Sequence, residues 1–420
     1  MLIVRKIKNI FTNNTKDYSP QFEHSKWSEE QVMLGEVSGV DTSVYNYPNL
    51  SPTLMECARK QLELGSAPAS IKLIVDSYLK GEITEKEFED LCEESIYVID
   101  LEYLKNKFKI ITEPEESPKT HDIPAAFYGA SFNDIAGSKY EFTYKLKDRE
   151  GLTFDNCICT DSQPTDDTIL SCATAVGMKQ KLIINDKQTI SLKEYHKNTT
   201  YPFANNPFSS IYKDYAKRPF AGASYGGGFY SWLHSDEIRP YGSYGNGSAM
   251  RVSPIGDYFD NQEDVIVYAA ASAAATHNHM EGVIGAVVTA MAIWMAKQGY
   301  SKKQIFDYII GFYPEERTEK YIYKGISLKE FTMEELKYAI GPPICQYSVP
   351  AAAICFYYAD SFEDVTNNIL SFEGDTDTIG AIAGSIAGAY YGIPEYAKNV
   401  VDERKPEEIF DIALSAIKQK

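Results

Sequence analysis

Glycines recur at every fourth position of the apolar run 379–391, at Gly380, Gly384 and Gly388, with alanines between them. Residues four apart lie on one face of a helix, so this spacing predicts a helix with one face made of small side chains. Such a face lets a second helix approach closely. We therefore expect a crowded helical core. The run is too short to be a membrane helix that dimerises through spaced glycines.

The chain beyond residue 125 contains further apolar stretches that are rich in small residues. Alanine-rich stretches at 265–276, 282–297 and 349–358 alternate with loops rich in Gly, Tyr and Pro, and strand patterns are few. This composition predicts a domain of packed helices over residues 119–420.

The first 118 residues differ from the rest. Helical patterns recur there over four short ranges: 29–39, 53–65, 71–79 and 84–99. Thr84 and Glu87 have the spacing of a capping box at the start of the last one. The segment 113–119 contains two prolines and three acids, as a linker would. We predict an all-α fold in which a small helical N-terminal module, residues 1–118, precedes the larger helical domain.

The net charge limits the classes of molecule that the protein can bind. The chain has 420 residues and a formal net charge of −18, which argues against binding to a nucleic-acid backbone or an anionic membrane surface. We find no apolar run approaching the ~18 residues that span a bilayer, and the N-terminus has charges where a signal peptide needs its apolar core. The seven cysteines are odd in number and sparse, which favours reduced thiols and a cytoplasmic protein.

The segment Glu373-Gly-Asp-Thr-Asp-Thr-Ile-Gly380 concentrates oxygen ligands. Asp375 and Thr378 are three apart and share a helix face, with Asp377 beside them. Oxygen donors without nearby Cys or His suit a hard cation such as Mg²⁺ or Mn²⁺. Helix capping is the alternative interpretation. It explains one such residue better than a cluster of three.

A second acidic cluster, Thr165-Asp-Asp-Thr168, precedes another apolar run and indicates a helix start. The adjacent Asp166 and Asp167 repel each other unless a cation or solvent compensates them. If this cluster met the one at 375–378, the two could hold a pair of metal ions that orient a substrate and activate water. The sequence permits that convergence without requiring it.

Two glycine-rich loops and two single polar residues are further candidates. The loops 225–228 and 244–251 combine glycines, whose N–H groups can approach an anion, with tyrosines that can stack on a base. Neither matches a P-loop, and ordinary loop structure remains the alternative. Glu141 is either a surface acid or a site carboxylate. His277 is either a core residue or a hydrogen-bonding group near a ligand.

Taken together, these motifs resemble the ADP-ribosylglycohydrolase family over about residues 124–415, in both order and spacing. The matching segments are Gly129 to Glu141, Thr165-Asp-Asp-Thr168, Ala221-Gly-Ala-Ser-Tyr-Gly-Gly-Gly228, Gly245-Asn-Gly-Ser-Ala-Met-Arg251, Thr276-His-Asn-His279, Cys345-Gln-Tyr-Ser-Val-Pro350 and Gly374-Asp-Thr-Asp-Thr-Ile-Gly380. The resemblance implies an all-α fold that holds two Mg²⁺ ions, with Mn²⁺ as the alternative.

The resemblance also implies roles for single residues. The family's metal ligands fall on Thr165, Asp166, Asp167, Asp375, Asp377 and Thr378. Its ribose-side glutamate falls on Glu141, which joins Asp166, Asp167 and Asp377 as a predicted catalytic residue. Its substrate-binding positions fall on Gly227, Gly228, Asn246, Gly247, Ser248 and His277. Three positions depart from the family pattern: Asn133, Met280 and Glu373. None is a predicted metal ligand, but Glu373 adds a charge beside the site.

Residues 27–65 weakly resemble a short helical repeat of bacterial and phage proteins, through Trp27 and the segment Gly39-Val-Asp-Thr-Ser-Val-Tyr-Asn-Tyr-Pro48. This likeness implies no chemistry. A docking or spacer module with a protein partner is therefore the expectation for the N-terminal part.

The expected function is Mg²⁺-dependent hydrolysis of the glycosidic bond at C1″ of ADP-ribose attached to a protein side chain or a small molecule. The alternatives are an ADP-ribose-binding protein with weak or no catalysis, a two-metal phosphohydrolase acting on a nucleotide diphosphate, and a helical scaffold. The leaving group, the carboxylate that activates water, the role of residues 1–118 and the oligomeric state stay open at this level.

Overall fold

A computed structural model describes residues 50–419, apart from 64–65, 67, 96–98, 122–123, 143–148, 185–202, 205, 221–222, 237, 315–326, 338 and 340. All of the described residues belong to a compact unit that extends from Ser43 to Lys420. The helix predicted at 29–39 and much of the repeat-like segment 27–65 lie outside the described residues. The predicted domain boundary near residue 118 stays a prediction.

Nearly all the regular secondary structure of the described residues is helical, as the sequence predicts. The helices of the first part are α1 (Pro52–Glu63), α2 (Pro68–Leu79), α3 (Glu85–Glu94) and α4 (Leu101–Phe108). Those that follow are α5 (Ala125–Ser138), α6 (Asp166–Gly177), α7 (Pro207–Ala216), α8 (Gly227–Leu233), α9 (Ser253–Tyr258), α10 (Gln262–Ala274), α11 (Met280–Gln298) and α12 (Lys302–Gly311). The last six are α13 (Met333–Leu336), α14 (Cys345–Tyr357), α15 (Phe362–Leu370), α16 (Thr376–Tyr391), α17 (Glu395–Arg404) and α18 (Glu407–Lys418). A short antiparallel ladder pairs β1 (Ile183–Ile184) with β2 (Phe203–Ala204).

Helices α1 to α3 enclose a small apolar cluster that includes Leu54, Ile71, Ile74 and Phe88. Thr84 caps α3 in the predicted capping box: its hydroxyl accepts from the N–H of Glu87, and the Glu87 carboxylate accepts from the N–H of Thr84. This helix ends at Glu94, earlier than the sequence predicts. Helix α4 instead joins the main core, where it packs on α10.

The glycine face of α16 packs against α5, as its spacing predicts. A Cβ atom added at Gly384 would lie 2.3 Å from the carbonyl oxygen of Gly129, and one at Gly129 would lie 2.2 Å from that of Gly384. Only glycine permits this backbone-to-backbone approach. The two helices therefore lie backbone to backbone, and this contact helps to fix where the N-terminal end of α16 lies.

Helix α11 corrects the expectation that no segment could span a membrane. Its 19 residues are long and apolar enough to do so by length and composition, and 89% of its most apolar window is buried inside the protein. The helix is surrounded by α9, α10, α12, α14 and α16. A helix that is apolar on every side and covered in this way has the pattern of a core helix.

Candidate active site

The site begins with a buried aspartate that the sequence analysis did not assign. Asp134 is fully buried on α5, and its carboxylate accepts hydrogen bonds from Thr165 Oγ1 at 2.6 Å and from the Thr165 N–H at 2.9 Å. It also accepts from Thr168 Oγ1 at 2.5 Å and from the Thr168 N–H at 3.1 Å. These bonds occupy amide groups that the first turn of α6 leaves unpaired. They hold the start of α6 against α5.

A single charged side chain in a helix of apolar and small uncharged residues is the signal that could have identified Asp134. Thirteen of the 14 residues of α5 are buried, from Ala125 to Gly137. Buried carboxylates require partners, so an aspartate in this position indicates a polar site.

The two acidic clusters meet, as the sequence permits. Thr378 Oγ1 at the start of α16 donates to Asp167 Oδ2 at 3.3 Å, and these residues are 211 positions apart in sequence. Asp134, Asp167 and Asp377 each place a carboxylate oxygen within 4.8 Å of the others. A Cβ atom at Gly137 would lie 2.6 Å from the Asp377 Cα. The glycine on α5 therefore provides the space that Asp377 occupies.

A second group shares Asp377 with the first. Glu141, Asp375 and Asp377 also bring carboxylate oxygens within 4.8 Å of one another. Asp375 Oδ2 accepts from Asn246 Nδ2 at 2.6 Å, and the same amide group donates to Ser348 Oγ at 2.8 Å. Two adjoining sets of three carboxylates thus form one acidic centre, in which Asp377 belongs to both.

Burial and mutual repulsion raise the pKa values of this centre. Burial is the first cause for each group: it raises the pKa of Asp134 to about 6, that of Glu141 to about 7 and that of Asp166 to about 8. The pKa values of Asp167 and Asp377 are held well above the ordinary range by burial and by neighbouring carboxylates. The pKa of Asp375 is raised by burial as well. Keeping these buried, neighbouring carboxylates ionised costs free energy unless a positive charge lies close to them.

The residues fit a hard divalent cation. Asp167 Oδ1 is buried without a hydrogen-bond partner among the described residues. None of the carboxylates of the centre forms an ion pair with a described lysine or arginine; the recorded pairs lie elsewhere. Clustered carboxylate and hydroxyl oxygens are the donors that Mg²⁺ and Mn²⁺ take.

Asp166 belongs to neither of the two close groups of carboxylates. It is the first residue of α6, and its carboxylate accepts a hydrogen bond from the N–H of Ser224. Gly227 and Gly228, the first residues of α8, follow Ser224 closely and are exposed. Asp166 therefore lies between the acidic centre and the glycine-rich segment before α8.

The segment Asn246–Ser248 forms a short 3-10 helix next to the centre. Asn246 contacts Asp375 directly, as described above. Ser248 differs from expectation in its orientation: its hydroxyl is buried and donates to the Gly282 carbonyl oxygen at 2.8 Å, on α11. The hydroxyl therefore secures the turn, and only the backbone of Ser248 is left for a ligand.

The His277 ring packs against the glycines of this turn. Its Nδ1 is 2.7 Å from Thr276 Oγ1, and a Cβ atom added at Gly247 would lie 3.3 Å from its Nε2. Burial, with a smaller effect of the Arg251 charge, holds the pKa of His277 well below its ordinary value. The ring therefore lies against Gly247, where an added side chain would crowd it.

A family model described as ADP-ribosylglycohydrolase matches residues 118–419, which is most of the chain. The chain is 32% identical to ADP-ribosylhydrolase ARH3 of Homo sapiens over 216 residues, 43% of this chain and 60% of that protein. It is 33% identical to ADP-ribosylhydrolase ARH3 of Mus musculus over 190 residues, 37% of this chain and 51% of that protein. The matched region thus spans only 51–60% of these relatives' length.

A solved structure titled "ADP-ribosylglycohydrolase-related protein complex" shares the fold. The match has a TM-score of 0.50 and 21% sequence identity, and it covers 70% of this chain and 96% of the other. At this identity the likeness concerns the fold alone, which is all-α in agreement with the helices described above.

Proposed function

Because the chain belongs to the ADP-ribosylglycohydrolase family, we propose that it is a metal-dependent hydrolase. It cleaves the glycosidic bond at C1″ of ADP-ribose attached to a protein side chain or a small molecule, and it releases ADP-ribose. The observation that carries this proposal is the convergence of Asp167, Asp375 and Asp377 from two remote segments into one buried acidic centre.

Two Mg²⁺ ions, with Mn²⁺ as the alternative, are the proposed cofactors. Their ligands come from the six residues at the starts of α6 and α16: Thr165, Asp166, Asp167, Asp375, Asp377 and Thr378. When bound, such ions neutralise the carboxylates, fix hydroxyl groups of a sugar and lower the pKa of water. The unpartnered Oδ1 of Asp167 supports this assignment, because a buried anionic oxygen needs a positive partner.

The protein's own carboxylates also suit acid–base work at a glycosidic centre. Cleavage at C1″ passes through an oxocarbenium-like state, which negative charge on the protein stabilises. Glu141 is only partly buried and lies beside Asp375 and Asp377, so it can reach a ligand and exchange a proton with water. We assign Glu141 to orienting the attacking water, with Asp166 as the second carboxylate facing the cleft.

The diphosphate part of the substrate needs donors that are not side-chain cations, since the protein is strongly acidic. Gly227 and Gly228 are exposed at the start of α8, three and four residues after Ser224, whose N–H donates to Asp166. The turn at Asn246–Ser248 contacts the acidic centre through Asn246 and Asp375. Helix N-termini and glycine-rich turns bind phosphate through backbone N–H groups. We therefore place the diphosphate across these two segments.

The proposed setting is cytoplasmic, with a protein partner for the N-terminal helices. The experiment is a panel of substrates carrying ADP-ribose on arginine, on serine, on other side chains and on small molecules, incubated with Mg²⁺. We expect release of intact ADP-ribose, observed by chromatography and abolished by a chelator.

Other outcomes select other functions. Release of AMP would select the phosphohydrolase, and ADP-ribose binding without turnover of any substrate would select the non-catalytic binder. If added Mg²⁺ and ADP-ribose left the thermal stability unchanged, neither would be a ligand and the scaffold alternative would stand.

A further inference from the structure

Glu141 is on a short segment that is bound to the loop before α16. The N–H of Phe142 donates to the Gly374 carbonyl oxygen at 2.9 Å, and Thr376 Oγ1 donates to the Tyr140 carbonyl oxygen at 3.5 Å. Phe142 has a φ of 47°, a left-handed conformation that is uncommon for an aromatic residue. The segment Tyr140–Phe142 is thus held in one specific place.

Electrostatic repulsion opposes this placement. The Glu141 carboxylate lies within 4.8 Å of those of Asp375 and Asp377. Like charges at such distances repel each other. Attractive contacts must therefore hold Glu141 near α16, especially before a cation binds.

Arg149 supplies such a contact from outside the acidic centre. Its side chain is buried, with 5% exposed. Nη2 donates to the Tyr140 carbonyl oxygen at 2.5 Å, and Nη1 donates to the Phe372 carbonyl oxygen at 2.5 Å. One guanidinium group therefore joins the segment that carries Glu141 to the segment that leads into Asp375.

The local chemistry favours a guanidinium group over an ammonium group here. Two carbonyl oxygens on different segments match the fork of donors of an arginine, whereas lysine offers a single compact charge. The guanidinium carbon also lies 5.7 Å from the Tyr140 ring centre. Glu373, a departure from the family pattern, adds a negative charge near this guanidinium.

We propose that Arg149 is a positioning residue: by bridging Tyr140 and Phe372 it holds the Glu141 carboxylate in register with Asp375 and Asp377. It contacts neither the substrate nor the ions. The part of this inference that concerns catalysis rests on the proposed function. The part that concerns the placement of Glu141 does not.

The test is a double-mutant cycle on Mn²⁺ affinity, which needs no substrate. The variants are Arg149→Met, which keeps the volume, Glu141→Gln and their combination, each titrated with Mn²⁺ by calorimetry. The Glu141 carboxylate lies within 4.8 Å of the proposed ligands Asp375 and Asp377, and loss of a group beside the ligands of a metal weakens metal binding by about 10- to 100-fold. We expect each single variant to fall in this range and the double variant to be no weaker than Glu141→Gln alone. If the fold losses of Mn²⁺ affinity in the two single variants multiply in the double variant, the two residues act independently and the proposal is overturned.

Two further variants separate positioning from folding. Arg149→Lys retains one donor and is expected to recover part of the Mn²⁺ affinity. The control is Arg404→Ala. Arg404 is on α17, and its guanidinium group donates to the Ser162 carbonyl oxygen at 2.6 Å. We expect its loss to change Mn²⁺ affinity less than twofold. Loss of the helical circular dichroism signal in both Arg149 variants would assign the residue to folding and refute the positioning role.

Activity gives a second readout. With the best substrate of the panel, Arg149→Met should lower kcat more than it raises KM, and the loss should disappear in the Glu141→Gln background. An unchanged KM and kcat would refute the catalytic part. If the wild-type protein releases no ADP-ribose from any substrate while the Mn²⁺ cycle is non-additive, the proposed function fails and the positioning role of Arg149 stands.

Discussion

Along the contact between α5 and α16, the region at Gly129 and Gly384 differs in chemistry from the region at Gly137 and Asp377. The first is backbone against backbone, without charge. The second brings together carboxylates whose pKa values are raised by burial and repulsion. The same pair of helices thus contains a strongly stabilising region and a destabilised one. Close packing in one half of the contact therefore holds together the carboxylates of the other half, which would otherwise move apart.

The largest expected effect comes from removing the carboxylate common to both groups. Asp377→Asn should lower the rate of ADP-ribose release by about a thousandfold, because loss of metal-based charge stabilisation costs several kcal/mol. The metal-free variant should be at least as stable as the wild type, since one repelling charge is gone. Rates and denaturation midpoints measure the two effects. Asp307→Asn, which removes an exposed carboxylate paired with Lys303, is the control and should change neither.

The next effect breaks the close contact itself. A Cβ atom at Gly384 would clash with the Gly129 carbonyl oxygen at 2.3 Å, so Gly384→Ala should reduce the free energy of unfolding by about 3 kcal/mol. Urea denaturation measures it. Gly311→Ala is the matched control, because nothing lies within 4 Å of the added Cβ atom there. A Gly384→Ala protein as stable as its control would show that the two backbones can separate freely.

A change of pH should act on the acidic region and not on the uncharged contact at Gly129 and Gly384. The folded-state pKa values of about 6 for Asp134, 7 for Glu141 and 8 for Asp166 exceed the ordinary values of 3.8 and 4.5. The folded protein therefore binds more protons than the unfolded chain, and the free energy of unfolding falls as pH rises through this window.

Without metal, we expect a loss of a few kcal/mol between about pH 5 and about pH 8, with the partly exposed Glu141 discounted. Mg²⁺ should restore more stability at the upper pH than at the lower, because ions displace protons. Denaturation in a chelator and in Mg²⁺ at both pH values measures this. A metal-free protein that gains stability with pH would contradict the burial of uncompensated carboxylates.

The smallest effect concerns the bonds that hold α6 to α5. Thr168→Val removes the hydroxyl that donates to Asp134, and it should reduce the free energy of unfolding by about 1 kcal/mol and weaken the stabilisation by Mg²⁺. Thr174→Val is the control on the same helix, since Thr174 Oγ1 contacts the Tyr212 hydroxyl at 2.8 Å, away from the acidic centre. The control should lose stability and keep its full response to Mg²⁺. If Mg²⁺ stabilised both variants equally, the bond from Thr168 to Asp134 would play no part in holding the metal ligands in place.

Much of the local structure follows from the sequence alone. The glycine spacing in α16 predicts its contact face, the threonine–glutamate pair predicts the cap of α3, and the alanine-rich runs predict the core helices. Each of these depends on residues within a few positions of one another, where the geometry of a helix leaves little choice. The acidic clusters are also visible in sequence, because unusual oxygen-rich segments stand out before apolar runs.

Which of these groups meet depends on how the helices pack. Packing brings Asp134 within hydrogen-bond distance of Thr165 and Thr168, and Asp166 within hydrogen-bond distance of Ser224. It also pairs the Ser248 hydroxyl with α11 and places Arg149 between Tyr140 and Phe372. Contacts between remote segments depend on how helices pack, and packing is set by many weak interactions together, not by a local pattern. The sequence therefore determined the kind of chemistry available, and the close approach of α5 and α16 determined where that chemistry is assembled.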